Sequence, residues 1–233
     1  MATGDKREQN KGKLIILEAG DGSGKATQTK LLYEHLRSDD YFVRRVEFPD
    51  YADDSSALVR MYLGGAFGAH ASDVNAYAAS AFFAVDRCAS YLRKWRDDYE
   101  AGCIILADRY TTSNMVHQAV KMGDARERGE FLAWLWDFEF RKLGLPMPDL
   151  VLFLDMEPAA SDKLIAARAS ERGKTEDIHE RDKADLHRCH AMYRELAAAY
   201  GWKRIPCSAG GKPFLPEEIH AQVYEAVKGL LHD

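Results

Sequence analysis

The sequence predicts an α/β protein: a five-stranded parallel sheet with helices on both faces, in three layers. Three observations carry this. Short continuous apolar runs recur along the chain, as strands buried on both faces require. Longer stretches with helical apolar spacing separate them. Strands that alternate with helices in this way pair in parallel and pack helices on each side.

The elements follow in order. Lys13 to Glu18 is the first strand and ends in a glycine cluster. Lys25 to Arg37 reads as a helix through Leu31, Leu32, His35 and Leu36. Phe42 to Phe48 is a second strand, stopped by Pro49. Val74 to Trp95 is one long helix rich in Ala and aromatics, and Cys103 to Ala107 is a third buried strand. Phe131 to Leu143 collects Trp134, Trp136, Phe138 and Phe140 on a helix. Leu150 to Leu154 is the fourth strand, and Pro158 to Ala169 a helix with Pro in its first turn. A polar stretch of both signs, 170–179, separates it from a helix over Arg181 to Tyr200. A fifth strand near Trp202 to Ile205 and a last helix from Pro216 to Leu231 complete the chain.

The 233 residues fit one domain, 13–233, behind a polar lead at 1–12 that is expected to be disordered. Hydrophobic types make up 46% of the chain, enough for a core and too many for disorder. A formal net charge of -5 argues against a general nucleic-acid binder. No apolar run reaches the roughly 18 residues of a membrane span. The four cysteines, at 88, 103, 189 and 207, form no CxxC pair, which points away from zinc and toward a reducing, cytoplasmic setting.

The chemistry gathers after the first strand. Glu18-Ala19-Gly20-Asp21-Gly22-Ser23-Gly24-Lys25-Ala26-Thr27 places a glycine-rich turn and a lysine at a helix start. Such a turn cradles phosphates: backbone N–H groups point inward, the helix N-terminus adds positive potential, and the lysine reaches the terminal phosphates. The strict pattern has glycine where this chain has Ala19, and a hydroxyl for the nucleotide's magnesium where it has Ala26. The turn residues Gly20 to Thr27 are therefore candidates for binding ATP.

Three further stretches accompany the loop: Phe48-Pro49-Asp50-Tyr51, Phe83-Ala84-Val85-Asp86-Arg87, and Asp108-Arg109-Tyr110 with Ser113, Asn114, His117 and Gln118. With them the chain resembles the thymidylate kinase (dTMP kinase) family over roughly residues 13 to 230. The resemblance implies a P-loop NTPase-type three-layer fold, transfer of the ATP γ-phosphate to dTMP with Mg2+, and a homodimer. It implies roles as well. Asp21 contacts the sugar 3′-hydroxyl, and Phe48 and Tyr51 border the monophosphate pocket. Phe83 stacks on thymine while Arg87 bonds its exocyclic oxygen; one helical turn places both on one face. Arg109 holds the acceptor phosphate, and Asp108 holds magnesium directly or through water. Asn114 and Gln118 lie near the base, Ser113 is a further dTMP-binding candidate, and His117 stands where the family often has Tyr under the deoxyribose.

Family members supply a catalytic arginine from the phosphate loop or from a lid. The loop here has Gly22 and Ser23, so the resemblance points to the bacterial-type lid at about 168–180, with Arg172 first, Arg168 next, and Glu180 near the nucleoside. Two other readings stay open: a related deoxynucleotide kinase of different acceptor choice, and a nucleotide-binding homologue weakened by Ala26.

Overall fold

The computed structural model describes residues 11–172 and 183–232, apart from the side chains of 166–172 and 183–185. Residues 1–10 of the expected lead lie outside the described residues. Gly12 already belongs to the packed domain: it is buried, its N–H donates to the Tyr99 carbonyl at 2.7 Å, and a Cβ there would strike the Cys103 carbonyl.

Five strands form the sheet: β1 (Leu14–Ala19), β2 (Val43–Glu47), β3 (Ile104–Asp108), β4 (Leu150–Asp155) and β5 (Lys203–Pro206). They lie in the order β2-β3-β1-β4-β5, every pair parallel, as the alternation predicts. β1 and β3 are buried along their whole length. Successive side chains of a strand point to opposite faces, and this splits the core in two. Leu14, Ile16, Ile105, Ala107 and Phe153 face one layer; Ile15, Leu17, Leu106, Leu152 and Leu154 face the other.

The second layer is α1 (Lys25–Ser38) and α9 (Pro216–His232), which bury Leu32 and Leu36 against Ile219, Val223 and Val227. The first layer holds α3 (Ala76–Ser90), α5 (Thr111–Ala119), α6 (Ala125–Trp136) and α8 (Lys183–Tyr200). α2 (Ala57–Leu63), α4 (Arg96–Glu100), α7 (Pro158–Arg172) and a small hairpin of β6 (Ser208–Ala209) and β7 (Lys212–Pro213) complete the domain.

The long helix expected from Val74 to Trp95 is interrupted. α3 passes into a π turn over Tyr91–Trp95 and then α4. α6 likewise runs into a π turn over Asp137–Lys142, where the sequence predicts one continuous helix. A π turn holds one more residue than an α turn and turns the following side chains to another face. Here it brings Glu139 inward to full burial.

The α1–α9 contact carries a histidine pair. His35 Nδ1 and His220 Nε2 are 3.0 Å apart, and His35 stacks on Tyr224, which donates to Asp39. Burial, and then the His35 charge, hold His220 below its ordinary value. The unfolded chain therefore takes up the proton more readily, so this contribution is present above about pH 6.5 and is lost as pH falls below it. Denaturation midpoints at pH 7 and pH 5 should show the loss, and His220→Gln should narrow the difference between them.

Candidate functional site

β1 is central, and the chain fills the sheet to either side of it. Ligands of open α/β sheets bind at such a switch point, beyond the carboxyl ends of the strands. The glycine loop follows β1, Asp108 and Arg109 end β3, and Asp155 ends β4. Gly24 takes a left-handed conformation at the start of α1 (φ 80°). No side chain caps α1 and its first turn holds no acidic residue, so its first N–H groups are left for an anion. Gly22 is also left-handed (φ 72°), and a Cβ there would come within 2.8 Å of Ser161 and Ile165 on α7. Ser23 is buried and donates to the Gly20 carbonyl at 2.5 Å, which closes the turn. Ala26 and Thr27 are exposed.

Lys25 is ion-paired with Asp108. Burial, aided by repulsion from Arg109, pulls the ammonium down to about 7, against the opposing pull of Glu18, Asp21 and Glu47. Four carboxylates, Glu18, Glu47, Asp108 and Asp155, lie at the strand ends. Asp155 accepts from His190, Arg194 and Arg204; burial pushes its pKa up, and these bonds outweigh that and bring it to about 2. Glu18, fully buried, accepts from the Tyr110 N–H and from three hydroxyls, those of Thr112, Ser113 and Tyr193. Asp108, ion-paired with Lys25, is a hard oxygen donor beside the loop. One carboxylate with phosphate oxygens and water is a sufficient magnesium environment, so the donor set suits that ion without a hydroxyl at position 26. Among the described residues no cluster of three metal-ligating side chains exists.

Arg109 lies at the junction of the loop and the neighbouring cleft. Its backbone is left-handed (φ 67°), a conformation that costs a non-glycine residue on the order of 1–3 kcal/mol and that surrounding structure must impose. Bonds from the Arg109 N–H to Leu17 and from the Tyr110 N–H to Glu18 impose it. The guanidinium donates from Nη2 to Asp21 Oδ1 at 3.0 Å, and Nη1 lies 3.3 Å from Ser113 Oγ and 3.4 Å from His117 Nε2. Burial disfavours its charge, but Tyr193, Asp21 and Glu18 outweigh this and hold it above its ordinary value.

The cleft beyond Arg109 encloses about 740 Å³, counting the part open to solvent. It gathers the residues expected around an acceptor nucleotide: Asp21, Phe48, Tyr51, Phe83, Arg87, Arg109, Ser113, Asn114, His117 and Gln118 all line it. Arg172, Arg168 and Glu180, and the lid as a whole, are not brought into this picture, because the two arginine side chains and residues 173–182 lie outside the described residues. Gln118 is 1% exposed, and neither its amide nitrogen nor its amide oxygen has a partner among the described residues. A buried amide in this state costs about 1–3 kcal/mol, and a bound polar ring edge would satisfy it. Asn114 donates to the Ser80 carbonyl at 3.3 Å.

Phe83 is half-buried and meets Tyr62 edge-on at 6.1 Å. Arg87 is 1% exposed and is gripped through Nε and Nη2 by both oxygens of Glu139, at 2.8 and 2.5 Å. Thr111 donates to the same carboxylate at 2.7 Å. The Phe48–Pro49 peptide is cis, and the turn after it is anchored by the buried Asp86, which accepts from the Asp50 N–H at 2.9 Å and the Ser55 hydroxyl at 2.6 Å. Sequence reasoning missed Glu18, Glu139, Asp86 and Tyr193 as parts of the site. Of these, only Glu18 and Asp86 lie inside a motif that could have drawn attention to them.

The thymidylate kinase family model matches residues 17–212. The chain is 32% identical to the thymidylate kinase of Mycobacterium tuberculosis over 193 residues, 81% of this chain and 87% of that one. It is 30% identical to that of Rhizorhabdus wittichii, over 94% of this chain and 99% of that one. The solved thymidylate kinase of Candida albicans shares the fold at a TM-score of 0.68 and 21% identity, over 94% of this chain and 92% of that one. With the loop, the arginine and the cleft in the places described, and with these likenesses spanning nearly all of it, the chain belongs to the thymidylate kinase family.

Proposed function

We propose that the protein is an ATP:dTMP phosphotransferase that makes dTDP for pyrimidine deoxynucleotide supply. One observation carries the reading: a single cleft is lined by Asp21 of the glycine loop, by Arg109 and by the Phe83–Arg87 pair. Phosphoryl transfer asks for alignment and charge neutralisation more than for covalent chemistry. The loop amides and Lys25 hold the ATP phosphates. Phosphate raises the Lys25 pKa again, because it supplies the counter-charge that burial made scarce.

Arg109 holds the acceptor phosphate while Asp21 takes the sugar 3′-hydroxyl. Phe83 stacks on the base, and Arg87, which can only donate, selects a carbonyl oxygen. Asn114 and the orphaned amide of Gln118 complete the ring edge, with His117 under the sugar and Phe48, Tyr51 and Ser113 as walls. Arg172, seconded by Arg168, covers the transferring group, and Glu180 approaches the nucleoside. No general base is needed, since the attacking phosphate oxygen is already anionic. A magnesium ion, for which Asp108 is the carboxylate, supplies further neutralisation of the phosphate charge.

The protein acts as a cytoplasmic homodimer in this reading. Leu58 and Met61 on α2 and Val85 on α3 are 42–50% exposed, an apolar face that a second copy would cover. Among the described residues the cysteines are free, and no helix is long and apolar enough to cross a membrane.

The test is a steady-state assay with ATP and an acceptor panel of dTMP, dUMP, dCMP, dGMP and thymidine. We expect kcat/KM for dTMP to exceed that for dCMP by at least about 100-fold, since an amino group in place of the carbonyl would meet the Arg87 donors. Equal use of both would overturn the assignment. Absence of turnover in the wild type, restored by Ala26→Ser, would show instead a binding protein disabled at its magnesium position.

A further inference from the structure

We propose that Glu18 is a positioning residue that aims Arg109 at the acceptor phosphate by fixing the direction of two hydroxyl protons. The inference rests on the reading of Arg109 as the acceptor clamp. Glu18 sits at the end of β1, is 0% exposed, and touches neither the loop's phosphate site nor the cleft. Its oxygens accept from Ser113 Oγ at 2.9 Å and Tyr193 OH at 3.0 Å.

A hydroxyl has a single proton and two lone pairs. Both hydroxyls commit that proton to Glu18, so each turns lone pairs toward the opposite side. Arg109 Nη1 is there, 3.3 Å from Ser113 Oγ and 3.5 Å from Tyr193 OH. An arginine offers donors alone, so it is held only if the groups around it accept. A carboxylate beneath the hydroxyls ensures that they do. The same carboxylate holds the Tyr110 N–H at 3.2 Å, next to the left-handed backbone of Arg109. Glu18 thus fixes both the root and the tip of the side chain.

Glu18→Gln keeps the shape and reverses this polarity. The amide oxygen stays with Tyr110, Thr112 and Ser113, and the amide nitrogen faces Tyr193. It donates there, so the tyrosine proton turns toward Arg109 and the guanidinium loses an acceptor. We expect the KM for dTMP to rise about tenfold to a hundredfold, with the KM for ATP unchanged. In a Tyr193→Phe background the tyrosine proton is gone, and the Ser113 hydroxyl keeps the amide oxygen as its acceptor, 3.0 Å away. The same substitution should then change the dTMP KM by less than about threefold, against the full effect in the wild type.

An effect of Glu18→Gln that persists undiminished in the Tyr193→Phe background, or that raises both KM values alike, would overturn the proposal and leave Glu18 a packing residue. Should Glu18→Gln fail to fold, Tyr193→Phe alone decides: it should raise the dTMP KM and spare ATP, and an unchanged dTMP KM would overturn the proposal. Arg109→Ala is the separate control. If it leaves the dTMP KM untouched, the clamp reading itself fails; if it raises that KM while Glu18→Gln does not, only the present inference fails.

Discussion

Arg109→Ala is expected to lower kcat/KM for dTMP by about 10³-fold, the scale at which an arginine that neutralises a transferring phosphoryl group acts. The residue is placed for this by an unfavourable backbone conformation and by contacts with Asp21, Ser113 and His117. Removal deletes the charge and also releases Asp21, which lines the acceptor cleft, from its partner. Arg109→Lys should recover little, because a point charge cannot meet Asp21 and phosphate with separate donors of one planar fork. Titration calorimetry should show weakened dTMP and nearly unchanged ATP. An Arg109→Ala enzyme within tenfold of the wild type would remove Arg109 from the reaction.

Glu139→Ala should be the most destabilising single change at the site. Breaking a buried ion pair from one side leaves an uncompensated charge and costs about 3–5 kcal/mol. Arg87 is 2% exposed at its side chain and Glu139 0%, so loss of the carboxylate leaves the Arg87 charge buried and uncompensated. Thermal unfolding should shift down by about 10 °C. Arg87→Met combined with Glu139→Leu should restore most of that loss, yet the folded double variant should discriminate poorly between dTMP and dCMP. Stability and recognition would then separate in one pair of measurements. A shift under about 2 °C for Glu139→Ala would contradict the burial on which the argument depends.

The strands were legible because a strand buried on both faces leaves an unbroken apolar run, and β1, β3 and β4 each do. Their limits fall within one or two residues of the expected ones. The short helix α2 was not legible: Ala57–Leu63 is only 7 residues long, and two buried positions make no readable stripe. The π turns were not legible either, since nothing in DFEFRK distinguishes a wide turn from an ordinary one. In the site, residues read from contiguous motifs come together in the cleft. Glu18 and Tyr193 are separated by 175 positions, and Arg87 and Glu139 by 52, so their partnership exists only once the chain is folded. Glu139 looks in sequence like one more charge on a surface helix. Its partner and its burial give it a different role.

The π turn over Asp137–Lys142 makes the inward aim of Glu139 a property of chain length rather than of composition. Arg141 and Lys142 are exposed, and most codon exchanges there should pass unnoticed. An in-frame loss of one codon is another matter. It would convert the wide turn into an ordinary one and rotate the preceding side chains by about 100° relative to those that follow. The clamp on Arg87 would swing out of place with every one of its own residues intact. Along this short segment, the gene is tolerant of spelling and intolerant of counting.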